Sequence, residues 1–515
     1  MTSPKSLVAA LFAVGLTCAG SAQAQEHFRS TNEFWGSRYQ PAPVTAAPTQ
    51  SHPSFDGAAG RIRHWNEIAI NSSGLDHTPV APGENRVFGE QVGPARSSRA
   101  IAIVQIAVFD AVNAFDRNYD SYSKIHPAHP RASMEAAIAQ AAHDTLNALF
   151  PSQQAACDQA LANDLSQIAN TRPLADGVAV GREAAAAILA ARANDGSQRA
   201  ELRVGIDFIT SNDAGKWRQD PISHHPLALG AFWGQVRPFV LRSTRQFRTP
   251  SPPPLNSAEY ATAYNEVKSM GGDGITTPTT RTPEQTQIGI YWAYDGTPSL
   301  CAPPRLYNQI TMNIADRMGT SSNPVELARL MALVNVAMAD ACMCIWESKY
   351  FYQFWRPITG IRESDLGTGP SGAGDGNAAT AGDPNFSPLG APASNLNGPN
   401  FTPPFPAYPS GHAGFGGALF QTLRNFYRTD RIDFTFVSDE FNGVTHDNAG
   451  NVRPLTPRSF SSLSQAEEEN GQSRIYLGIH WKFDKTAGIA QGRRVADYVF
   501  ANAFAPRGKG KSRDD

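Results

Sequence analysis

Apolar residues recur every three to four positions over 98–115, 132–150, 152–170 and 174–195, the period that puts them on one face of an α-helix. The breaks between these stretches are short, which predicts an antiparallel bundle. Prolines interrupt 206–285, where one helix is expected near 257–268. A second bundle is predicted over 283–504, built around an apolar helix from 325 to about 355. Only an FTFVSD run, inside an excursion over 431–458, has strand character. The expected fold is all-α: two helical bundles with long irregular loops.

The N-terminus reads differently. Lys5, the apolar run LVAALFAVGLTCAG and Ala22-Gln23-Ala24 have the form of a signal peptide over 1–24. Export to the periplasm or the medium is the expectation. That run is too short to cross a bilayer, and no other stretch reaches the ~18 consecutive apolar residues of a spanning helix. An N-terminal arm is expected over 25–97, its Pro, Ser and Ala content up to about 60 favouring extended chain. The remaining divisions are 98–282 (N-terminal bundle and connecting segment), 283–504 (C-terminal bundle) and 505–515 (a flexible tail ending RGKGKSRDD).

A net charge of −2 over 515 residues offers no general attraction for nucleic acid or an anionic membrane. Removal of the signal, with Cys18, leaves Cys157, Cys301, Cys342 and Cys344. That is too few for a disulfide framework, and no Cys/His spacing suits zinc.

Charge is concentrated instead in three fragments of the C-terminal bundle. In KYFYQFWRP, Lys349 and Arg356 are seven apart. At ~100° per residue they fall within roughly 20° of each other on one helix face. Pro357 is expected to push Arg356 out of the helical region and end the helix there. In PSGH, Ser410 suits an N-cap, and GHAGFGGALFQTLRNF continues at helical spacing. Backbone amides at such an end favour an anion, and Gly411 removes the side chain that would block close approach. In SRIYLGIH, Arg474 adds a planar fork of donors. His412 and His480 supply nitrogens able to act as nucleophile, metal ligand or proton carrier. The Gly, Pro, Asn and Ala rich stretch 365–404 is placed to deliver PSGH to the site and to form its rim. Together these fragments predict a pocket for one tetrahedral oxyanion, which could be phosphate or vanadate.

The order and spacing K-x6-R-P, P-S-G-H, S-R-x5-H are shared by vanadium-dependent haloperoxidases and type 2 phosphatidic acid phosphatases. The runs FTPPFPAYPSGHAGFGGALF, IWESKYFYQFWRPITGIRE and YWAYDGTPSLCAPPRLYNQI resemble the chloroperoxidase branch of the former. That resemblance implies vanadate as cofactor, with His480 as the metal ligand and Lys349, Arg356, Ser410, Gly411 and Arg474 holding its oxygens. It implies His412 as the acid–base group and Lys349 as a catalytic donor to bound peroxide. Trp346 and Phe405 would flank the cofactor, and Asp295 would orient Arg474. Hydrogen peroxide and halide would be the substrates, hypohalous acid the product, and a small organic molecule its acceptor. Two alternatives use the same residues. One is a secreted acid phosphatase in which His480 attacks a phosphate ester and His412 protonates the leaving group. The other is a catalytically silent phosphate-binding protein.

Overall fold

The computed structural model describes residues 28, 30–41, 57–169 and 171–507. The expected signal peptide, with Cys18, and the tail from 508 onward lie outside the described residues. A short helix α1 (Thr31–Trp35) precedes an N-terminal bundle of α2 (Gly57–Asp76), α3 (Pro94–Asp116), α4 (Met134–Leu149), α5 (Gln154–Leu165) and α6 (Arg172–Arg192). The proline-rich connection carries α7 (Ala258–Met270). Then come α8 (Pro283–Tyr291), α9 (Pro303–Arg317), α10 (Pro324–Tyr352), α11 (Pro357–Arg362), α12 (Gly411–Tyr427), α13 (Leu463–Tyr476) and α14 (Lys482–Asn502). Helices dominate, as the spacing of apolar residues predicts.

α10 is the axis of the molecule, buried continuously from Leu327 to Lys349. α3 lies along one side of it, and α12 and α14 along another. Helices α3 and α10 are long and apolar enough to cross a membrane, but here nearly all of each apolar stretch is packed inside the protein. α12 and α14 approach closely because glycines face each other. A Cβ on Gly492 would lie 2.0 Å from the Gly414 carbonyl oxygen, a separation no side chain tolerates. This contact fixes the start of α12, where the PSGH sequence sits.

Strands are minor, and each sheet has two. β1 (Gln40–Pro41) pairs antiparallel with β4 (Leu396–Asn397), and β2 (Leu202–Arg203) with β3 (Leu227–Ala228). In the third, β5 (Phe434–Val437) pairs with β6 (Pro457–Phe460), so the FTFVSD run does form a strand.

Several expectations need correction. The 25–97 segment is not simply an arm, since it holds α1 and the twenty-residue α2. Helical spacing was obscured because the buried side of α2 carries Arg61, Asn66, Ser72, Ser73 and Asp76 beside Ile62, Trp65 and Ala69. These polar groups find partners inside: Asp164 accepts from Arg61 Nε at 2.6 Å and from Trp65 Nε1 at 2.8 Å. The two bundles are also not separate bodies, because one apolar core runs from Phe34 to Phe504 across the 282/283 boundary. The boundary is a helix start, with Thr282 and Gln285 forming a capping box. The tail is not loose from 505: Arg507 N–H bonds the Asn118 carbonyl at 2.9 Å, and Pro506 bridges Tyr119.

The end of α10 differs too. The helix stops at Tyr352, where Gln353 turns left-handed with φ 51°. Arg356 is extended (φ −81°, ψ 158°), and Pro357 begins α11 rather than ending α10. Proline suits a first helical position, where its missing N–H is not needed. Lys349 and Arg356 therefore do not share a helix face, and they converge from a helix end and the loop after it.

Candidate active site

Four short pieces of backbone deliver the predicted residues to one buried cage. Lys349 comes from the last turn of α10, with Nζ donating to the carbonyls of Pro406 at 2.8 Å and Ala407 at 2.9 Å. Arg356 comes from the α10–α11 loop. It donates through Nε to the Phe405 carbonyl at 2.9 Å and through Nη1 to the Ile479 carbonyl at 2.8 Å. Ser410 caps α12 by accepting the Ala413 N–H at 3.4 Å, placing Gly411 and His412 in the first turn. Arg474 ends α13, and His480 lies in the turn before α14.

The hydrogen bonds assign the tautomer of His480. Nδ1 lies 2.8 Å from Asp484 Oδ2, and Nε2 lies 2.9 Å from Arg356 Nη1, which can only donate. The proton is therefore on Nδ1, and the Nε2 lone pair faces the cations. A carboxylate on the far nitrogen is the arrangement that orients a metal-ligating histidine. Asp484, which also accepts the Trp481 N–H at 3.0 Å, escaped the sequence analysis. Its position four residues after His480, in the first turn of the next helix, was the available signal.

Asp295 meets Arg474 as expected, both carboxylate oxygens lying 2.8 Å from Nη2. It also lies 3.7 Å from His412 Nε2, which donates to the Ala293 carbonyl. Trp346 and Phe405 pack with ring centroids 4.9 Å apart, and Lys349 Nζ sits 5.1 Å from the Phe405 centroid.

Burial and like charge leave this cage short of negative charge. Burial, then the neighbouring Arg356, hold the Lys349 ammonium well below the usual lysine range. Burial, then the Arg356 cation, lower His480, while burial and Arg474 lower His412. The Asp484 carboxyl is pushed up to about 7 by burial. Three guanidinium nitrogens, Arg356 Nη2, Arg474 Nε and Arg474 Nη1, are buried with no hydrogen-bond partner among the described residues. Unpartnered buried donors are rare because each forfeits its solvation. Here they converge with a free helix start and with Gly411, where an added Cβ would lie 3.3 Å from the Trp346 ring and 4.0 Å from Lys349 Cε. A tetrahedral oxyanion with one open coordination position for a nitrogen fits this donor set, and vanadate is such a group.

The cage adjoins a narrow cavity lined by Trp346, Phe405, His412, Arg474 and His480. Its remaining wall includes Phe34, Trp35, His225 and Phe401. Phe401 falls in the 365–404 stretch expected to form the rim, but Phe34, Trp35 and His225 lie outside it and the three fragments, and sequence offers no signal that residues so distant would meet there.

A family model described as the VCPO second helical-bundle domain matches residues 329–507. The vanadium chloroperoxidase of Curvularia inaequalis is 31% identical over 508 residues, covering 83% of this chain and 79% of the relative. In shape, the chain resembles the crystal structure of the first bacterial vanadium-dependent iodoperoxidase, with a TM-score of 0.67 and 23% identity over 88% of this chain and 98% of that one. A holo-type bacterial vanadium-dependent chloroperoxidase gives a TM-score of 0.57 and 16% identity, over 81% of this chain and 93% of that one. With the cage on α10, α12 and the α13–α14 turn, these likenesses mean that the chain belongs to the vanadium haloperoxidase family.

Proposed function

We propose that the protein uses vanadate held in this cage to oxidise halide with hydrogen peroxide, releasing hypohalous acid that halogenates small organic acceptors. The reading is carried by one juxtaposition: the His480 Nε2 lone pair faces a cage with three unpartnered guanidinium nitrogens. The chemistry supplied by bound vanadate is Lewis-acid activation of peroxide at constant metal oxidation state. Overall, peroxide, halide and one proton give hypohalous acid and water.

The chain's own groups have separable tasks. Arg356 and Arg474 neutralise the oxyanion, and Asp295 keeps the Arg474 fork in place. His480 offers Nε2 while Asp484 holds its ring from behind. Two of the three Lys349 N–H groups are fixed by carbonyls, which leaves the third for the oxidant. His412 is neutral, with the proton on Nε2 directed at Ala293. Its basic atom is Nδ1, where we place proton uptake and return. The low basicity imposed by burial makes it a ready donor once protonated.

For the halide we propose bromide, and chloride in addition because Phe405 resembles the chloroperoxidase branch. We also propose export with cleavage after Ala24, supported by Lys5, the apolar run and the A-x-A site. N-terminal sequencing of exported protein is expected to begin at Gln25, and a retained Met1 would refute it. The activity is tested by incubating metal-free protein with orthovanadate. Peroxide-dependent bromination of a dye is then measured beside hydrolysis of p-nitrophenyl phosphate. Bromination rising with vanadate loading is expected. Efficient hydrolysis that vanadate inhibits, with no oxidised bromide, would replace this reading with the phosphatase.

A further inference from the structure

Two polar groups in the cavity wall take no part in the cage. Trp35 is buried, and its Nε1–H has no hydrogen-bond partner among the described residues. His225 is also buried, with Nδ1 accepting the Leu227 N–H at 3.4 Å. Its proton therefore sits on Nε2, which has no protein partner among the described residues. Burial alone pushes the imidazole down to about 3, so it is neutral at any working pH. The two rings meet edge to face with centroids 5.8 Å apart. Phe34 lies 5.5 Å from His225, and Phe401 lies 5.1 Å from Trp35, both edge to face.

The arrangement is held from both ends of the chain. Trp35 belongs to α1, and the strand that follows pairs with β4 in the long loop preceding PSGH. The Tyr39 hydroxyl donates to the Pro399 carbonyl at 3.0 Å. What this wall offers is two neutral N–H donors and ring edges, which carry the positive part of the aromatic quadrupole. A cation is unsuited to a cavity that already contains Arg474 and adjoins Arg356 and Lys349. An oxyanion is better served by the cage. A monatomic anion needs no directional acceptor geometry, which suits donors carried on two separate rings.

We propose that Trp35 Nε1–H and His225 Nε2–H form the halide-binding subsite of this cavity, holding a large polarisable anion against the surrounding ring edges. This rests on the haloperoxidase reading and adds the residues that receive the second substrate.

The test uses crystals of the full chain soaked in bromide and measured at the bromine edge, together with steady-state kinetics. A bromine peak in contact with both nitrogens is expected. Trp35→Phe and His225→Phe should each raise the bromide KM about tenfold, the effect of losing one hydrogen bond to a charged group. Vanadium content and peroxide KM should stay unchanged. His225→Gln, which keeps an N–H donor, should remain within threefold of wild type. Bromine found only elsewhere, or bromide KM values that do not move, would overturn the subsite. If Trp35→Phe does not fold, the wild-type crystal and the His225 variants decide. A wild-type bromine peak without bromide oxidation would leave the subsite standing and discard the haloperoxidase reading.

Discussion

The N-terminal bundle and the anion cage both bury arginines beside carboxylates, but they complete their hydrogen bonding differently. In the bundle, Asp195 accepts from Arg99 Nε at 2.7 Å and lies 2.6 Å from Arg192 Nη2. Arg192 also donates to the Pro238 carbonyl at 3.0 Å and covers the Phe239 ring, leaving only its Nε unpartnered. Asp164 likewise takes both Arg61 and Trp65. In the cage, Arg356 and Arg474 together leave three nitrogens without partners among the described residues. Buried charge by itself therefore does not mark a site, because a structural cluster is closed by its own chain in all but one nitrogen. A functional one is left open for a ligand to complete.

The largest effect should come from His480→Ala. It removes the nitrogen proposed to bond the metal and is expected to abolish both vanadium retention, read by metal analysis, and halide oxidation. His412→Ala should keep vanadium and lose ~10²–10⁴-fold in kcat, the usual contribution of an acid–base group. Equal metal content in the two variants would mean that these roles are wrongly divided. Asp484→Asn leaves the cage intact but weakens the hold on His480. A ~10–100-fold loss in vanadate affinity is expected, with smaller change in kcat at saturating vanadate. Asp164→Ala is the control from the closed cluster. It should cost ~3–5 kcal/mol in denaturant unfolding and leave kcat within about twofold, as expected for a change confined to a structural charge cluster.

The smallest effect concerns a carboxyl that supports the cage from outside. Glu440 is buried among Arg453, Ser394 and the Tyr294 N–H, next to Asp295 in sequence, and burial raises it from 4.5 to about 7. A raised acid contributes stability that is fully present below its unfolded value and is lost as pH rises through the folded one. Thermal melting from pH 4.5 to 7 should lose that contribution in wild type, and Glu440→Gln should flatten the slope.

The site was more legible in the sequence than the scaffold around it. Ser410, Gly411 and His412 announce themselves because an N-cap, a small residue and a histidine are adjacent, and local geometry decides the rest. Lys349 and Arg356 were correctly brought together, but for an incorrect reason. The periodicity that placed them on one face cannot see that Gln353 turns the chain and that Pro357 starts a new helix. α2 was hidden because Arg61 and Asp76 occupy a buried face, where partners distant in sequence override the local pattern. Trp35 and His225 are separated by nearly two hundred positions and meet only through tertiary packing. No periodicity reports such a contact.

The open donors of the cage also make the protein's heat resistance a property of its surroundings. Any anion that binds only the folded chain raises unfolding free energy by mass action, about 2.7 kcal/mol at a concentration one hundred times its dissociation constant. Phosphate has the shape of vanadate and would meet the same three guanidinium nitrogens. A phosphate-rich medium therefore acts as a placeholder, preserving the metal-free chain while delaying its loading, and a phosphate-poor one exposes the chain to unfolding until vanadate arrives.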